Sequence, residues 1–341
     1  MNRKTLFDED NRLEILSKLG DPLERISACI DFEKFRKRID TAFEAVDYSQ
    51  GGRPPIDRLL LFKVLILQEY YNLSDDKVEF HINDRLTFMR FLGLGIGEKS
   101  PDAKTIWAFR DKLTTKRILS DLFDDFSKRL LGLGLIANKG SIVDATIVKA
   151  PIQRNTKEEN DEIKRGKIPE NWTENKTRQK DTDASWTRKR NVNYFGYKNH
   201  IKVDKKSKFI LGCLVSPANC HDQDFIEELI DKRDKGKKLW GDAAYSGSEI
   251  LNKISKRGVK PAITKKGYKN KKLTEADIKR NHMLSKVRCR IEHVFGFMKQ
   301  TAGAINIRCR SLPRATTSIV LKNLVYNIFR LTQIQNPVKF A

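Results

Sequence analysis

One stretch constrains the rest of the chain more than any other: Ser285-Lys-Val-Arg-Cys-Arg-Ile-Glu-His-Val-Phe-Gly-Phe-Met-Lys299. At 3.6 residues per turn it sorts into two stripes. Val287, Ile291, Val294 and Met298 form a core-facing stripe. Ser285, Arg288, Glu292 and Lys299 fall on a second face, roughly 120° away. That face sets one carboxylate between two cations. Taken alone, Arg288 and Glu292 are an ordinary surface pair one turn apart. The acids elsewhere in the chain give the pair a second reading.

At 341 residues the chain has length for one large domain or two modest ones, each with its own core. Lysine and arginine number 67 against 44 acidic residues, a formal charge of +23. A charge of that size calls for a polyanionic partner, and nucleic acid is the first candidate. A membrane surface is the weaker alternative, because no apolar run approaches the ~18 residues needed to span one. The first ten residues are charged and lack a signal-peptide core, so a cytoplasmic, nucleoid-associated protein is expected. The five cysteines show no CxxC spacing and read as reduced thiols. The histidines show no HExxH spacing, so a metal is expected on carboxylates, which suits Mg²⁺.

The first 50 residues read as short helices, broken at Gly20-Asp21-Pro22, with Asp31 a candidate cap for the run through Phe35 and Ile39. Gly51-Gly-Arg-Pro-Pro55 reads as a stiff turn. Residues 59–71 are apolar on nearly all sides and predict a buried helix. Asn72-Leu-Ser74 and Ser100-Pro-Asp102 each open a further helix. Compact helices with tight turns are compatible with a helix-turn-helix DNA reader. The expected boundaries are a helical DNA-binding domain over 1–137 and a catalytic domain over 138–341. Residues 151–190 are polar and charged and predict a partly disordered insert. Within it, Trp186 either stacks on a base or docks the loop end.

The second half mixes strands and helices, the pattern of an α+β fold with a mixed sheet flanked by helices. Ser141-Ile-Val-Asp-Ala-Thr-Ile-Val148 is a β-branched strand with Asp144 in its middle, an awkward place for a carboxylate. Residues 196–203 and 209–215 read as a hairpin, with Asp204 a turn residue. Asp222 or Asp224 is expected to cap the helix that follows. Lys238-Leu-Trp-Gly-Asp-Ala-Ala-Tyr245 predicts a strand with Asp242 near its carboxyl end, where such sheets build sites. Residues 265–272 are basic. Three carboxylates converging in a basic protein, Asp144, Asp242 and Glu292, have one economical use. They hold two divalent ions about 3.5–4 Å apart for phosphodiester chemistry.

The chain resembles the DDE transposases of bacterial insertion sequences, in the IS-four/IS-five-like group with an R-x3-E-x6-K helix signature. Asp84-Arg-Leu-Thr-Phe-Met-Arg-Phe-Leu-Gly-Leu94 and Thr105-Ile-Trp-Ala-Phe-Arg110 resemble its N-terminal helical domain. Ile142-Val-Asp-Ala-Thr146 and Gly241-Asp-Ala-Ala-Tyr-Ser-Gly247 resemble its first two acidic motifs, and Gly196-Tyr-Lys-Asn-His200 the strand between them. Arg288, Glu292 and Lys299 match the signature helix; Ser285 stands where the wider signature often carries Tyr. The resemblance implies an RNase H-like core and a triad of Asp144, Asp242 and Glu292, both catalytic and metal-holding. It also implies Mg²⁺, with two ions and Mn²⁺ as a substitute, and terminal inverted repeats and target DNA as partners of a homodimer. Arg288 and Lys299 would grip phosphates, and Lys198 and Arg290 are counted with them. The implied reaction cuts the element's ends and joins the freed 3′-OH to target DNA. A nuclease or resolvase that cuts without joining, and an inactive DNA-binding derivative, are the alternatives.

Overall fold

The computed structural model describes residues 8–44, 55–268, 272–300 and 306–335. Most of the Gly51–Pro55 turn and part of the basic 265–272 stretch lie outside these residues. The chain divides into two compact units, one of residues 1–122 and 324–341, the other of residues 123–323.

The first unit is helical: α1 (Asp8–Lys18), α2 (Pro22–Cys29), α3 (Glu33–Asp40), α4 (Arg58–Tyr71), α5 (Asp75–Asp84), α6 (Leu86–Leu92) and α7 (Ala103–Thr115). Side-chain caps define the starts of α2, α4, α5 and α7. Asp21 accepts from the Leu23 amide, Asp57 from Leu59, Ser74 from Lys77 and Asp102 from Thr105. Asp31 works one position further out than expected: Phe32 precedes α3, and the Asp31 carboxylate accepts from the Glu33 amide. As its composition predicts, α4 is buried nearly all round, including Leu59, Phe62, Val64, Leu65 and Ile66. Phe35 packs on Phe62 and Phe32 on Phe91, with ring centres 5.3 and 5.6 Å apart. The division between units falls inside α8 (Ile118–Gly132).

The second unit starts its sheet with β1 (Ser141–Lys149). Then come α9 (Lys157–Lys164), α10 (Glu174–Gln179), β2 (Ser185–Lys189), β3 (Val192–Asp204) and β4 (Ile210–Pro217). A short 3-10 turn leads into α11 (Ile226–Leu229), then β5 (Lys238–Gly241), α12 (Ser248–Lys256) and β6 (Lys260–Ile263). Two long helices, α13 (Glu275–Gln300) and α14 (Leu312–Gln335), complete the order. The strands form one mixed sheet in the order β2-β3-β1-β5-β6, with β4 also on β3. β3 runs antiparallel to β1, β2 and β4, while β1, β5 and β6 are parallel. The fold is α+β, a helical region followed by a mixed sheet with helices, as expected. Val143, Leu239, Tyr245, Ile250, Ile254 and Ile263 belong to one buried cluster beneath it. Among the described residues no helix is long and apolar enough to cross a membrane.

Several local expectations differ from the structure. Residues 151–190, read as a partly disordered insert, carry α9, α10 and β2. A small polar core orders them: the buried Glu159 carboxylate accepts from Trp172 Nε1 at 2.7 Å and Lys176 Nζ at 2.6 Å. At the far end Tyr197 donates its hydroxyl proton to Asp181. Neither Asp222 nor Asp224 caps α11 through its side chain; a 3-10 turn over Asp222–Phe225 precedes that helix and starts uncapped after His221. Asp204 is a turn residue and more. Fully buried, it accepts from the amides of Asn138, Lys206 and Ser207 and from the Ser207 hydroxyl.

Candidate active site

β1 and β5 run side by side and parallel, with Ile142 opposite Trp240. Asp144 stands two residues beyond Ile142 on β1, and Asp242 two beyond Trp240, so the two acids lie at matching distances past the paired residues. The β5 strand ends at Gly241, earlier than expected, and Asp242 opens a 3-10 turn by accepting from the Ala244 amide at 2.9 Å. Gly241 permits the close approach there. A Cβ on it would meet Ile263 at 2.9 Å and Tyr245 at 3.0 Å.

The Asp144 carboxylate is largely buried and accepts from its neighbour's amide, Ala145, at 2.8 Å. Burial and, behind it, the negative charge of Asp242 push its pKa up to about 6; the Ala145 amide, Arg288 and Lys189 pull the other way. The two negative charges thus disfavour one another's ionisation. Two carboxylates side by side are a hard-oxygen donor set.

The α13 helix presents the other charged groups. Ile291, Val294 and Met298 are buried, and Val287 is partly so, as their spacing predicts. Arg288 reaches Asp144 with Nη1 at 3.5 Å and approaches Glu292 with Nη2 at 4.0 Å. Its Nε is buried without a hydrogen-bond partner. Glu292 has 66% of its side chain exposed. The structure therefore brings Asp144 and Asp242 together, while Glu292 connects to them through Arg288. Among the described residues no three acidic, histidine or cysteine side chains are grouped to hold a metal ion.

The expected DNA-binding cations divide into two kinds. Lys299 is exposed on α13. Lys198 is not free: it donates to Asp222 and to the Cys220 carbonyl, both at 2.7 Å, and its side chain is 16% exposed. Arg290 donates to the Lys205 carbonyl at 2.9 Å.

Sequence reasoning missed Tyr245. Its ring is fully buried and its hydroxyl has no hydrogen-bond partner. Burial, then the charges of Asp222, Asp144 and Asp242, hold its phenol far above the ordinary range. The phenol therefore keeps its proton, a buried donor that no acceptor meets. Its position three residues after Asp242 was the available signal.

Residues 137–328 match the family model described as a transposase DDE domain, and residues 11–112 match one described as a transposase domain (DUF772). A cryo-EM structure of the piggyBac transposase synaptic complex with hairpin DNA is similar at 10% sequence identity and a TM-score of 0.45, over 92% of this chain and 75% of that one. The first match spans more than half of the chain and includes Asp144, Asp242, Arg288, Glu292 and Lys299: the chain belongs to the DDE transposase domain family.

Proposed function

We propose that the protein binds the terminal inverted repeats of an insertion sequence, cuts DNA there and joins the freed ends to target DNA. The observation that carries this reading is the placement of Asp144 on β1 and of Asp242 just past the end of the adjoining parallel β5, with Arg288 lying between Asp144 and Glu292. Both steps are in-line displacements at phosphorus. In the first, a water oxygen bonds to phosphorus as the bond to the 3′ oxygen breaks. In the second, that 3′ oxygen attacks a target phosphodiester and displaces another 3′ oxygen.

Asp144 and Asp242 would hold a divalent cation such as Mg²⁺ or Mn²⁺, and Glu292 would join them once its exposed side chain turns from Arg288. When bound, the ions stabilise charge developing on the attacking and leaving oxygens. Arg288 and Lys299 bind phosphate near the scissile bond. Lys198 acts through Asp222, and Arg290 through the Lys205 carbonyl, as supports of the site. A net charge of +23 suits a DNA partner, and two ends suit a pair of chains.

The test compares wild type with Glu292→Gln on a labelled terminal-repeat duplex in Mg²⁺. Cleavage and strand transfer should fall by about three orders of magnitude or more. DNA binding without metal should persist, because Glu292 is exposed and its removal takes away a negative charge. A variant that cuts at a near wild-type rate makes Glu292 only the helix partner of Arg288. Cleavage without joined products in wild type would favour the nuclease reading instead.

A further inference from the structure

The segment between β1 and β3 ends in a feature that the proposed reaction leaves without a task. β2 and β3 form a tight antiparallel ribbon, with Trp186 opposite Phe195, Arg188 opposite Asn193 and Lys189 opposite Val192. Two residues close it, Arg190 and Asn191, with φ of 49° and 62°. Successive positive φ values are those of the turn that matches the twist of a hairpin. Asn tolerates this region well and Arg does not. Arg190 thus sits at the tip of the ribbon in a conformation that costs a side-chain-bearing residue some strain.

Arg188, Lys189 and Arg190 are consecutive and exposed, and none makes an ion pair within the described residues. Lys198, Lys202, Arg90 and Arg110, by contrast, hold carboxylates. Trp186 lies on the same ribbon with 47% of its surface exposed. Phe195 supports it from within, 5.3 Å away at 49°, and is itself buried. An indole fixed on one side and open on the other is a stacking platform. The same β3 strand that builds the ribbon with β2 runs on to pair with β1, with Ile201 opposite Asp144. Hydrophobic packing alone accounts for Phe195. It does not account for three unpaired cations around an open indole.

We propose that the β2–β3 ribbon is a DNA-strand grip: Arg188, Lys189 and Arg190 hold backbone phosphates and Trp186 stacks on an unpaired base beside the reacting phosphodiester. This rests on the DNA-cutting reading and adds to it a contact outside the carboxylate site. A rigid ribbon loses little freedom when it binds, unlike a floppy basic tail. The chemistry selects nucleic acid with at least one unstacked base, because a fully paired duplex offers phosphates but no open base face away from its ends.

The experiment uses the full-length protein in EDTA, so that nothing is cut. Binding is measured across a salt series on a terminal-repeat duplex and on the same duplex with two unpaired bases at the cleavage point. Replacing Arg188, Lys189 and Arg190 together by Gln should flatten the slope of log affinity against log salt by about 2 to 3. Trp186→Ala should weaken the unpaired substrate about tenfold more than the duplex, and Trp186→Phe should restore most of the loss. Lys189→Glu, a single exposed change, provides a second charge test should the triple variant fold poorly; it should weaken binding to both substrates. If wild type binds with a steep salt slope and the triple and Lys189→Glu variants match it, the ribbon assignment fails while the DNA-cutting reading stands. Equal loss on both substrates from Trp186→Ala would assign Trp186 to packing on Phe195 and overturn the stacking role. Salt-independent or absent binding by wild type removes both readings.

Discussion

Asp144 shows how a single residue can stand against stability. An unfolded aspartate titrates near 3.9, and burial in β1 together with the Asp242 charge lifts this one to about 6. With the folded pKa above the unfolded one, its contribution to stability is complete below about pH 4 and is lost as the pH rises through about 6. At neutral pH the folded metal-free protein thus carries an ionised carboxylate that it would hold better protonated. Asp144→Asn should therefore raise unfolding free energy at pH 8 by about 2 to 3 kcal/mol and leave it nearly unchanged at pH 4. Urea melts in EDTA at the two pH values measure this. An equal effect at both would mean that the residue costs nothing electrostatically, and the idea of a poised acid pair would lose its support. The sequence already exposed this residue, because a carboxylate in the middle of a β-branched strand has few structural uses. It gave less warning of Tyr245, since a buried aromatic after a strand is ordinarily core, and only the three-dimensional neighbourhood of Asp222, Asp144 and Asp242 marks it out.

Elements were legible where a period carried them. The stripe of Ile291, Val294 and Met298 repeats at helical spacing, and those residues are buried on α13. The β-branched run at Ser141 became β1, and the hairpin at Tyr197 became β3 and β4, each a little longer than the pattern suggested. The 151–190 segment was not legible, because its order comes from polar contacts that leave no apolar rhythm. Glu159 is the hub: it completes a capping box with Thr156 and receives Trp172 and Lys176. The Lys176 hydrogen bond first, then Trp172 and the Thr156 amide, hold its carboxyl down at about 2. Its contribution is present above the unfolded pKa, near 4.3, and is lost only as pH falls towards about 2, so the hub is intact at neutral pH. Glu159→Ala should free both partners and speed limited proteolysis within 157–179 about tenfold, with the main thermal transition unmoved. Mapping early cleavage sites by mass spectrometry distinguishes the outcomes. Wild type cut there as fast as the variant would return the segment to the disordered insert its composition suggests.

At the scale of the whole molecule the chain order and the compact units disagree. The first unit takes in residues 1–122 but also 324–341, and the second unit runs from 123 to 323. The first unit is thus closed by a segment from the far end of the chain, the latter half of α14. Phe329, buried, stacks on Tyr70 of α4 with ring centres 3.8 Å apart and planes 7° from parallel. No linear reading finds such a partnership, because composition and spacing point to a boundary near residue 137 and say nothing about a helix two hundred residues later. Its consequence is energetic. Phe329→Ala in the full chain removes a buried ring and leaves Tyr70 without its stacking partner, a change expected to cost about 3 to 5 kcal/mol. A fragment of residues 1–137 lacks the same contact. It should melt below a version in which residues 324–335 are rejoined through a flexible glycine-serine linker. The linked form should also bind terminal-repeat DNA at a temperature where the shorter fragment has unfolded. Urea and thermal melts of the two fragments decide the matter. Matching midpoints would show that the first unit is complete without the C-terminal segment, and that the boundary near residue 137 is the physical one.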